Sequence, residues 1–358
     1  MTSLIVDAHE DIAYNMLTLG RDYRRSVAET RAAEGNGEGQ LQATISLPDA
    51  MRGGVGLVFA TIFTEPSRKR MDPDSPLGPV TYRTPQEAYI AALRQYDVYQ
   101  RLLDETPQLA PVTTQAELDA VLTTWADGAP VAGRRQGIVL LMENGDPIVE
   151  PPQFEEWYAR GVRLVGPAWA ASRYCGGTGD PGGLTTLGYE LLEVMASFRA
   201  ILDLSHMAEE SYLQAVERYE GPIIASHSNS RTFRNSDRHL TDTMIRLLAE
   251  RDGVIGTVLF NAFLKDGYSK SDRKETVPLE TAINAIDYVC QLTGSARHAG
   301  IGSDFDGGFG SQHIPGDLDT VADLVKIADG LRARGYAEAD VQAVLSGNFI
   351  RILRDALP

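Results

Sequence analysis

The chain has 358 residues, 43% hydrophobic and 23% charged, a composition typical of a globular protein with a sizeable core. Its formal net charge of −16 argues against nucleic acid or an anionic membrane surface as a partner. Neither a secretory signal nor an apolar stretch of about 20 residues is found, so a cytoplasmic protein is expected. Cys175 and Cys290 match no metal or redox spacing, and no disulfide is expected.

Short apolar runs recur along the chain, each of the length expected of a buried strand. There are eight, at residues 4–6, 55–61, 137–142, 162–166, 200–204, 222–225, 254–258 and 299–302. Helical patterns lie between several of them, at residues 84–103, 116–125, 187–199, 209–219, 241–250 and 279–292. A last helix pair is predicted over residues 318–335 and 337–357.

Alternation of strands and helices indicates a mainly parallel sheet, and eight strands in a chain of this length favour a (β/α)₈ barrel, the TIM barrel, as one domain over residues 1–358. An open doubly wound sheet is the alternative, but no Gly-x-Gly-x-x-Gly turn follows an early strand. The polar, Gly-rich residues 26–40 are predicted to form an exposed excursion. Cys175, also in a Gly-rich stretch, is expected to be partly exposed. The loops at 65–84 and 176–183 are expected to set the side-chain preference for a substrate.

Titratable side chains cluster where the predicted strands end. In a barrel this edge is the carboxyl-terminal face, where active sites form. Three of only six histidines fall there. A single histidine at a strand end is more typical of a hydrogen-bonded core residue. Titratable residues at several strand ends together indicate a functional site. The residues are His9, Asp11, Glu143, His206, His227 and Asp304.

These residue types supply enough ligands for two divalent ions such as zinc. Glu143 has two oxygens and can bridge the ions, His9 with Asp11 would complete one, and the remaining two histidines the other. Such a pair lowers the pKa of a shared water and polarises a carbonyl. Asp304 would then deprotonate that water and later protonate the leaving amine. Asp7 and Glu10 could at most orient the ligands.

The motifs that carry these residues, in their order along the chain, resemble the renal (membrane) dipeptidase family of metallopeptidases. The resemblance implies a (β/α)₈ barrel with two zinc ions that hydrolyses dipeptides, often with a D-residue at the C-terminal position. Homodimers are common in the family, so a homodimer is possible. The motifs are Asp7-Ala8-His9-Glu10-Asp11, Ser46-Leu47-Pro48, Gly53-Gly54-Val55-Gly56, Asp203-Leu204-Ser205-His206, Ser226-His227-Ser228-Asn229, Gly300-Ile301-Gly302-Ser303-Asp304-Phe305-Asp306-Gly307 and Gly347-Asn348-Phe349-Ile350-Arg351.

Carried over residue by residue, the resemblance implies the same five ligands and the same proton-transfer group. It further implies that Arg238 binds the free carboxylate of the substrate, a task that suits a guanidinium fork. The alternative is a surface arginine beside Arg231 and Arg234. Trp169 stands where many members carry a histidine that contacts the reacting carbonyl. An indole cannot transfer a proton, so Trp169 is expected to form an aromatic pocket wall or simply to pack.

Two other functions remain open from the sequence. The first is a hydrolase with the same metal site that acts on an N-acyl amino acid, a lactam or a lactone. The reason to consider it is Trp169, which stands in place of the family histidine. The second is a non-catalytic barrel that serves as a binding module. Such a module should have lost a ligand or the proton-transfer group, whereas all five ligands and Asp304 are present.

Overall fold

The computed structural model describes residues 4–35, 40–67 and 77–358, and eight of its strands form a closed parallel ring. Each strand pairs with its neighbour in the chain, and the last pairs with the first, so the predicted (β/α)₈ barrel is confirmed. The barrel strands are β1 Ile5–Glu10, β2 Val55–Phe63, β3 Gln136–Glu143, β4 Val162–Gly166, β5 Ile201–Asp203, β6 Ile223–Ala225, β7 Val254–Thr257 and β8 Ala299–Ile301.

Helices surround the ring and close its ends. They are α1 Ile12–Thr18, α2 Val27–Glu34, α3 Leu47–Gly53, α4 Pro85–Glu105, α5 Gln115–Thr123, α6 Phe154–Ala159, α7 Thr186–Ser197, α8 Glu209–Arg218, α9 Asp242–Glu250, α10 Asn261–Leu264, α11 Leu279–Thr293, α12 Lys326–Ala333, α13 Glu338–Gln342 and α14 Asn348–Ala356. Shorter strands outside the ring are Glu65–Pro66, Thr81–Tyr82, Leu109–Pro111, Cys175–Gly177 and Asp180–Leu184. Within the described ranges, no helix is both long and apolar enough to cross a bilayer.

Local sequence signals explain where several helices begin. Thr84 and Glu87 form a capping box at the start of α4, with Pro85 in its first turn. The side chain of Thr241 caps α9 in the same way, by accepting from a backbone N–H that has no partner within the helix. The last predicted helix pair is present but interrupted, because a π-helical stretch, Ala343–Gly347, joins α13 to α14.

Two expectations about exposure were wrong. Residues 26–40 do not form a wholly exposed excursion, because Ser26 and Glu29 make a capping box that starts α2, and Val27 is buried. The Gly-rich composition of the segment concealed this signal. Cys175 is buried because it packs into the hydrophobic core, and its short strand forms an antiparallel hairpin with a second one. Residues 36–39 and 68–76, which belong to the predicted excursion and to the 65–84 loop, lie outside the described residues.

The barrel interior forms its own hydrophobic cluster. Inner side chains from several strands are fully buried and pack together, among them Ala8 of β1, Phe59 of β2 and Leu141 of β3. Helix α14 adds Phe349, whose ring lies edge-on against Phe59 with centroids 5.4 Å apart. A Cβ at Gly300 would lie 2.4 Å from the Phe349 ring, so glycine leaves room for it. The C-terminal helix therefore packs into the barrel core.

We expect Phe349→Ala to lower the free energy of unfolding by about 3–5 kcal/mol, since it opens a cavity among buried side chains that cannot all collapse. Urea denaturation followed by circular dichroism would measure the change. Val131→Ala is the control, because Val131 is 71% exposed and its loss should change stability by no more than about 0.5 kcal/mol. Equal stability of both variants would contradict a packing role for Phe349.

Candidate metal centre

The barrel brings all six predicted site residues to one mouth. Because the strands are parallel, their carboxyl ends share one face of the ring. Four of the six side chains belong to buried residues, and those of His206 and Asp304 are partly exposed. His9 lies in β1 and Asp11 directly follows it, Glu143 ends β3, and His206, His227 and Asp304 follow β5, β6 and β8.

Glu143 lies at the centre of the three histidines. Its Oε1 is 3.3 Å from Nε2 of His206 and 3.4 Å from Nε2 of His227, and its Oε2 is 3.4 Å from Nε2 of His9. The two Nε2 atoms of His206 and His227 are 3.0 Å apart. Among the described residues, Nε2 of His9 is buried without a hydrogen-bond partner. Both oxygens of one carboxylate thus face imidazole nitrogens, as expected of a ligand shared by two ions.

The two remaining carboxylates lie on the His9 side of this cluster. Ligand atoms of His9, Asp11 and Asp304 lie within 4.8 Å of one another, as do those of His9, Glu143 and His227. Nε2 of His9 is 4.0 Å from Oδ1 of Asp304. Asp11 also accepts a hydrogen bond from the hydroxyl of Thr61 on β2. The donor set is nitrogen and carboxylate oxygen only, which suits zinc.

A serine that sequence analysis did not single out fixes the orientation of two histidines. Ser226 Oγ donates to Oδ2 of Asp203 at 2.5 Å and lies 2.8 Å from Nδ1 of His227 and 3.4 Å from Nδ1 of His9. Since its only hydrogen goes to the carboxylate, each histidine must donate from Nδ1. Nε2 of both rings is then turned toward Glu143, and it is the nitrogen that can bind a metal ion once any proton on it is lost.

An unusual backbone conformation sets the direction of two further side chains of the site. His206 and Asp304 have φ angles of 65° and 59°, in the left-handed region that residues other than glycine rarely adopt. Such strain persists where the surrounding structure holds it, and it is common at functional sites. Thr178 Oγ1 lies 3.1 Å from Nδ1 of His206 and supports the ring. A Cβ at Gly307 would lie 2.0 Å from Oδ1 of Asp304, so the glycine makes room for that carboxylate.

The electrostatic surroundings shift the pKa values of Glu143 and Asp304 in opposite directions. Burial alone would raise the pKa of Glu143, but the charge on His9 and hydrogen bonds from the other two histidines hold that pKa well below its ordinary value. Burial raises the pKa of Asp304 well above its ordinary value, against the opposing charge of His9. The carboxyl at the mouth therefore holds a proton far more readily than the central one.

Arg238 is buried beside the metal centre, which excludes the surface arginine considered from the sequence. Its Nη2 donates to the carbonyl of His227 at 2.6 Å and its Nη1 to Ser228 Oγ at 3.2 Å. No hydrogen-bond partner of its Nε is found among the described residues. Arg231, in the same segment, instead pairs with Glu209 on the outside of the barrel. Arg238 is thus held in place as a fixed positive charge.

One cavity of about 550 Å³ connects these groups. Asp11, Glu143, Asp304 and Arg238 line it. Trp169 lies in its wall, edge-on to Phe63 with ring centroids 5.3 Å apart, and 6.1 Å from the ring of His206. His239, which follows Arg238, is buried and lies within hydrogen-bonding distance of Ser236 and of the carbonyl of Phe263. The cavity is large enough for a small molecule.

We expect Ser226→Ala to weaken zinc binding by about 10–100-fold, because Nδ1 of two ligand histidines loses its acceptor. Zinc retained after dialysis against graded concentrations of a chelator would measure this. Ser211→Ala is a matched control, since Ser211 is an equally buried hydroxyl that donates to backbone carbonyls outside the site. Equal zinc retention in both variants would show that Ser226 does not orient the ligands.

Comparison with known proteins identifies the family to which the chain is similar. The model of the membrane dipeptidase family (Peptidase family M19) matches residues 1–357. The "uncharacterized protein in pqqA 5′ region" of Klebsiella pneumoniae is 33% identical over 216 residues, 58% of this chain and 76% of that protein. Dipeptidase aclJ of Aspergillus oryzae is 24% identical over 319 residues, 88% of this chain and 71% of its own length.

Among solved structures, a metallo peptidase from Rhodobacter sphaeroides, liganded with a phosphinate mimic of the dipeptide L-Ala-D-Ala, has the same fold. Its TM-score is 0.77 at 22% sequence identity, covering 99% of this chain and 100% of that one. The match of the family model over nearly the whole sequence settles the relationship. The chain is a metal-dependent hydrolase that belongs to the membrane dipeptidase family.

Proposed function

We propose that the chain is a dipeptidase with two zinc ions per chain. One observation carries the proposal: the Nε2 atoms of three histidines converge on both oxygens of Glu143, at 3.3 to 3.4 Å. His9 and Asp11 would hold one zinc and His206 and His227 the other, with Glu143 shared between them. When bound, a zinc pair lowers the pKa of a water and polarises a carbonyl.

Asp304 moves the proton in this proposal. Its carboxyl faces the cavity beside His9, and its raised pKa suits a group that accepts a proton from water and passes it to the leaving amine. Gly307 and the left-handed backbone at Asp304 hold the carboxyl in position. This placement gives Asp304 a role different from that of Glu143, whose oxygens are both occupied by the histidines.

Arg238 and Trp169 orient the substrate. The buried guanidinium would bind the free carboxylate of the dipeptide, because a desolvated cation attracts a carboxylate more strongly than a solvated one. Trp169 forms an aromatic wall on the side of His206. The Rhodobacter sphaeroides relative binds a mimic of L-Ala-D-Ala, and this supports L,D-dipeptides as the first substrates to test.

A second candidate is hydrolysis of another amide or of a lactone by the same centre. Trp169 favours it, because its indole lines the cavity and, by the family resemblance, stands where many members carry a histidine that contacts the reacting carbonyl. Hydrolysis of a library of L,L- and L,D-dipeptides, with zinc content assayed in parallel, separates the candidates. Two zinc ions with cleavage would support the dipeptidase, two zinc ions without cleavage would favour the second candidate, and failure to bind zinc would overturn both.

We expect Asp304→Asn to keep its zinc and to lose about 10²–10⁴-fold in turnover, as loss of a proton-transfer group predicts. Metal analysis and steady-state kinetics on the same preparation would measure the two effects. Asp266→Asn, at an exposed residue outside the cavity, is the control and should match the parent. Full activity of Asp304→Asn would remove this residue from the mechanism.

We expect amidation of the substrate's C-terminus to lower kcat/KM by about 10–100-fold, because a charge-assisted hydrogen bond to Arg238 is lost. In Arg238→Gln the free and amidated dipeptides should be cleaved at similar rates. Arg231→Gln, in the same segment but paired with Glu209, should keep the parent's discrimination. If Arg238→Gln still preferred the free carboxylate, the anchor would have to be another group.

A further inference from the structure

Two aromatic clusters line the cavity, and they come from different arcs of the barrel. The first contains Phe63 at the end of β2 and Trp169 after β4, together with Tyr14 of α1, whose ring centroid is 5.5 Å from that of Phe63. The second, which we call the Phe cluster, consists of Phe260 and Phe263 after β7 and Phe309 after β8. Apolar walls of this kind are typical of sites that take apolar side chains.

The Phe cluster is a packed unit rather than three scattered rings. Phe260 stacks on Phe309 with centroids 4.5 Å apart and an interplanar angle of 17°. Phe263 meets Phe260 at 5.1 Å, inclined by 67°. Phe309 is buried, whereas Phe260 and Phe263 are only partly buried and expose ring surface at the cavity. Their rotamers are therefore fixed before any ligand binds, which reduces the entropy lost on binding.

The position of Arg238 identifies which part of a substrate meets the Phe cluster. The guanidinium carbon lies 5.5 Å from the centroid of the Phe263 ring. In the proposed function Arg238 binds the carboxylate of the C-terminal residue. The side chain of that same residue starts from the carbon that bears the carboxylate, so it must lie within a few ångströms of the guanidinium. Phe263 lies beside this position, and Phe260 packs against Phe263 at the wall of the same cavity.

We propose that the Phe cluster is the specificity pocket for the C-terminal residue, and that the enzyme prefers dipeptides whose C-terminal side chain is aromatic. This inference rests on the proposed dipeptidase function and on Arg238 as the carboxylate anchor. An aromatic side chain gains offset or edge-on contacts with Phe260 and Phe263 in addition to the burial of its apolar surface. A methyl side chain would leave most of that ring surface in contact with water.

The rival reading of the same cavity is electrostatic. Arg234 and Lys270 also line it, and among the described residues neither forms an ion pair with a carboxylate. They could attract an acidic C-terminal side chain. However, Lys270 is exposed, and Arg234 already donates to the carbonyl of Ala262 at 2.6 Å. Exposed charges contribute little to binding, so the aromatic surface is the stronger determinant.

The test compares zinc-loaded protein on L-Ala-Xaa dipeptides in both configurations of Xaa, where Xaa is Ala, Leu, Phe, Glu or Lys. We expect kcat/KM for Phe to exceed that for Ala by at least about tenfold in the preferred configuration. Cleavage of these dipeptides without a preference for Phe would overturn the inference and leave the dipeptidase standing. A preference for Glu would overturn it in favour of Arg234 and Lys270. No cleavage of any dipeptide would overturn the proposed function as well.

Variants of the Phe cluster test whether it causes the preference for a C-terminal aromatic residue. Phe260→Leu keeps most of the side-chain volume and removes the aromatic face, so the ratio of kcat/KM for Phe to that for Ala should fall severalfold. Phe198→Leu is the matched control, because Phe198 is also partly buried but packs on Phe154 and Tyr158 away from the cavity. It should keep the parent's ratio. An unchanged ratio in both Phe260→Leu and Phe263→Leu would assign the preference elsewhere and overturn the inference.

Discussion

The site depends on keeping a buried carboxylate charged at the mouth of a barrel. Glu143 is almost fully removed from water, and an isolated buried carboxylate would be protonated rather than charged. Three histidine side chains surround it, and each comes from a different strand of the ring. Only a closed ring brings the ends of β1, β3, β5 and β6 within reach of one carboxylate. The fold is therefore a condition for the chemistry and not only a scaffold beneath it.

Buried hydrogen bonds beneath the ligands connect the strand ends that carry them. Asp203 accepts from the backbone N–H of Ser205 and of Ser226 and from the hydroxyl of Ser226, so β5 and β6 are connected at the level of the site. Asp7 does the same for β1 and β8 by accepting from the backbone and hydroxyl of Ser303. Because these two pairs of strand ends are connected by buried hydrogen bonds, the spacing of the histidines and of Asp304 that they carry is fixed by the protein.

Sequence reasoning predicted the ring, and it selected six residues that the structure brings to one mouth, because both have local signals. Short apolar runs mark the strands, and His9 or Glu143 stands where such a run ends. The contact between Ser226 and His9 was not predictable, since it depends on closure of the ring, and the hydrogen bond from Ser226 to Asp203 depends on the register of β5 against β6. The Phe cluster was hidden for the same reason, because Phe260 and Phe309 lie in different loops and meet only in the folded chain. Local patterns place residues on elements, and packing between elements decides what they contact.

The charge of the whole protein and the charge of its cavity act over different distances. The formal net charge of −16 would repel an anionic ligand at long range, but salt screens exposed charges beyond about 10 Å. Within the cavity a ligand meets the buried guanidinium of Arg238, where the lower dielectric strengthens attraction. A zwitterionic ligand can satisfy both conditions, because it carries no net charge at a distance and presents a carboxylate at contact. A strongly negative net charge is thus compatible with the proposed role of Arg238 as the anchor for a substrate carboxylate.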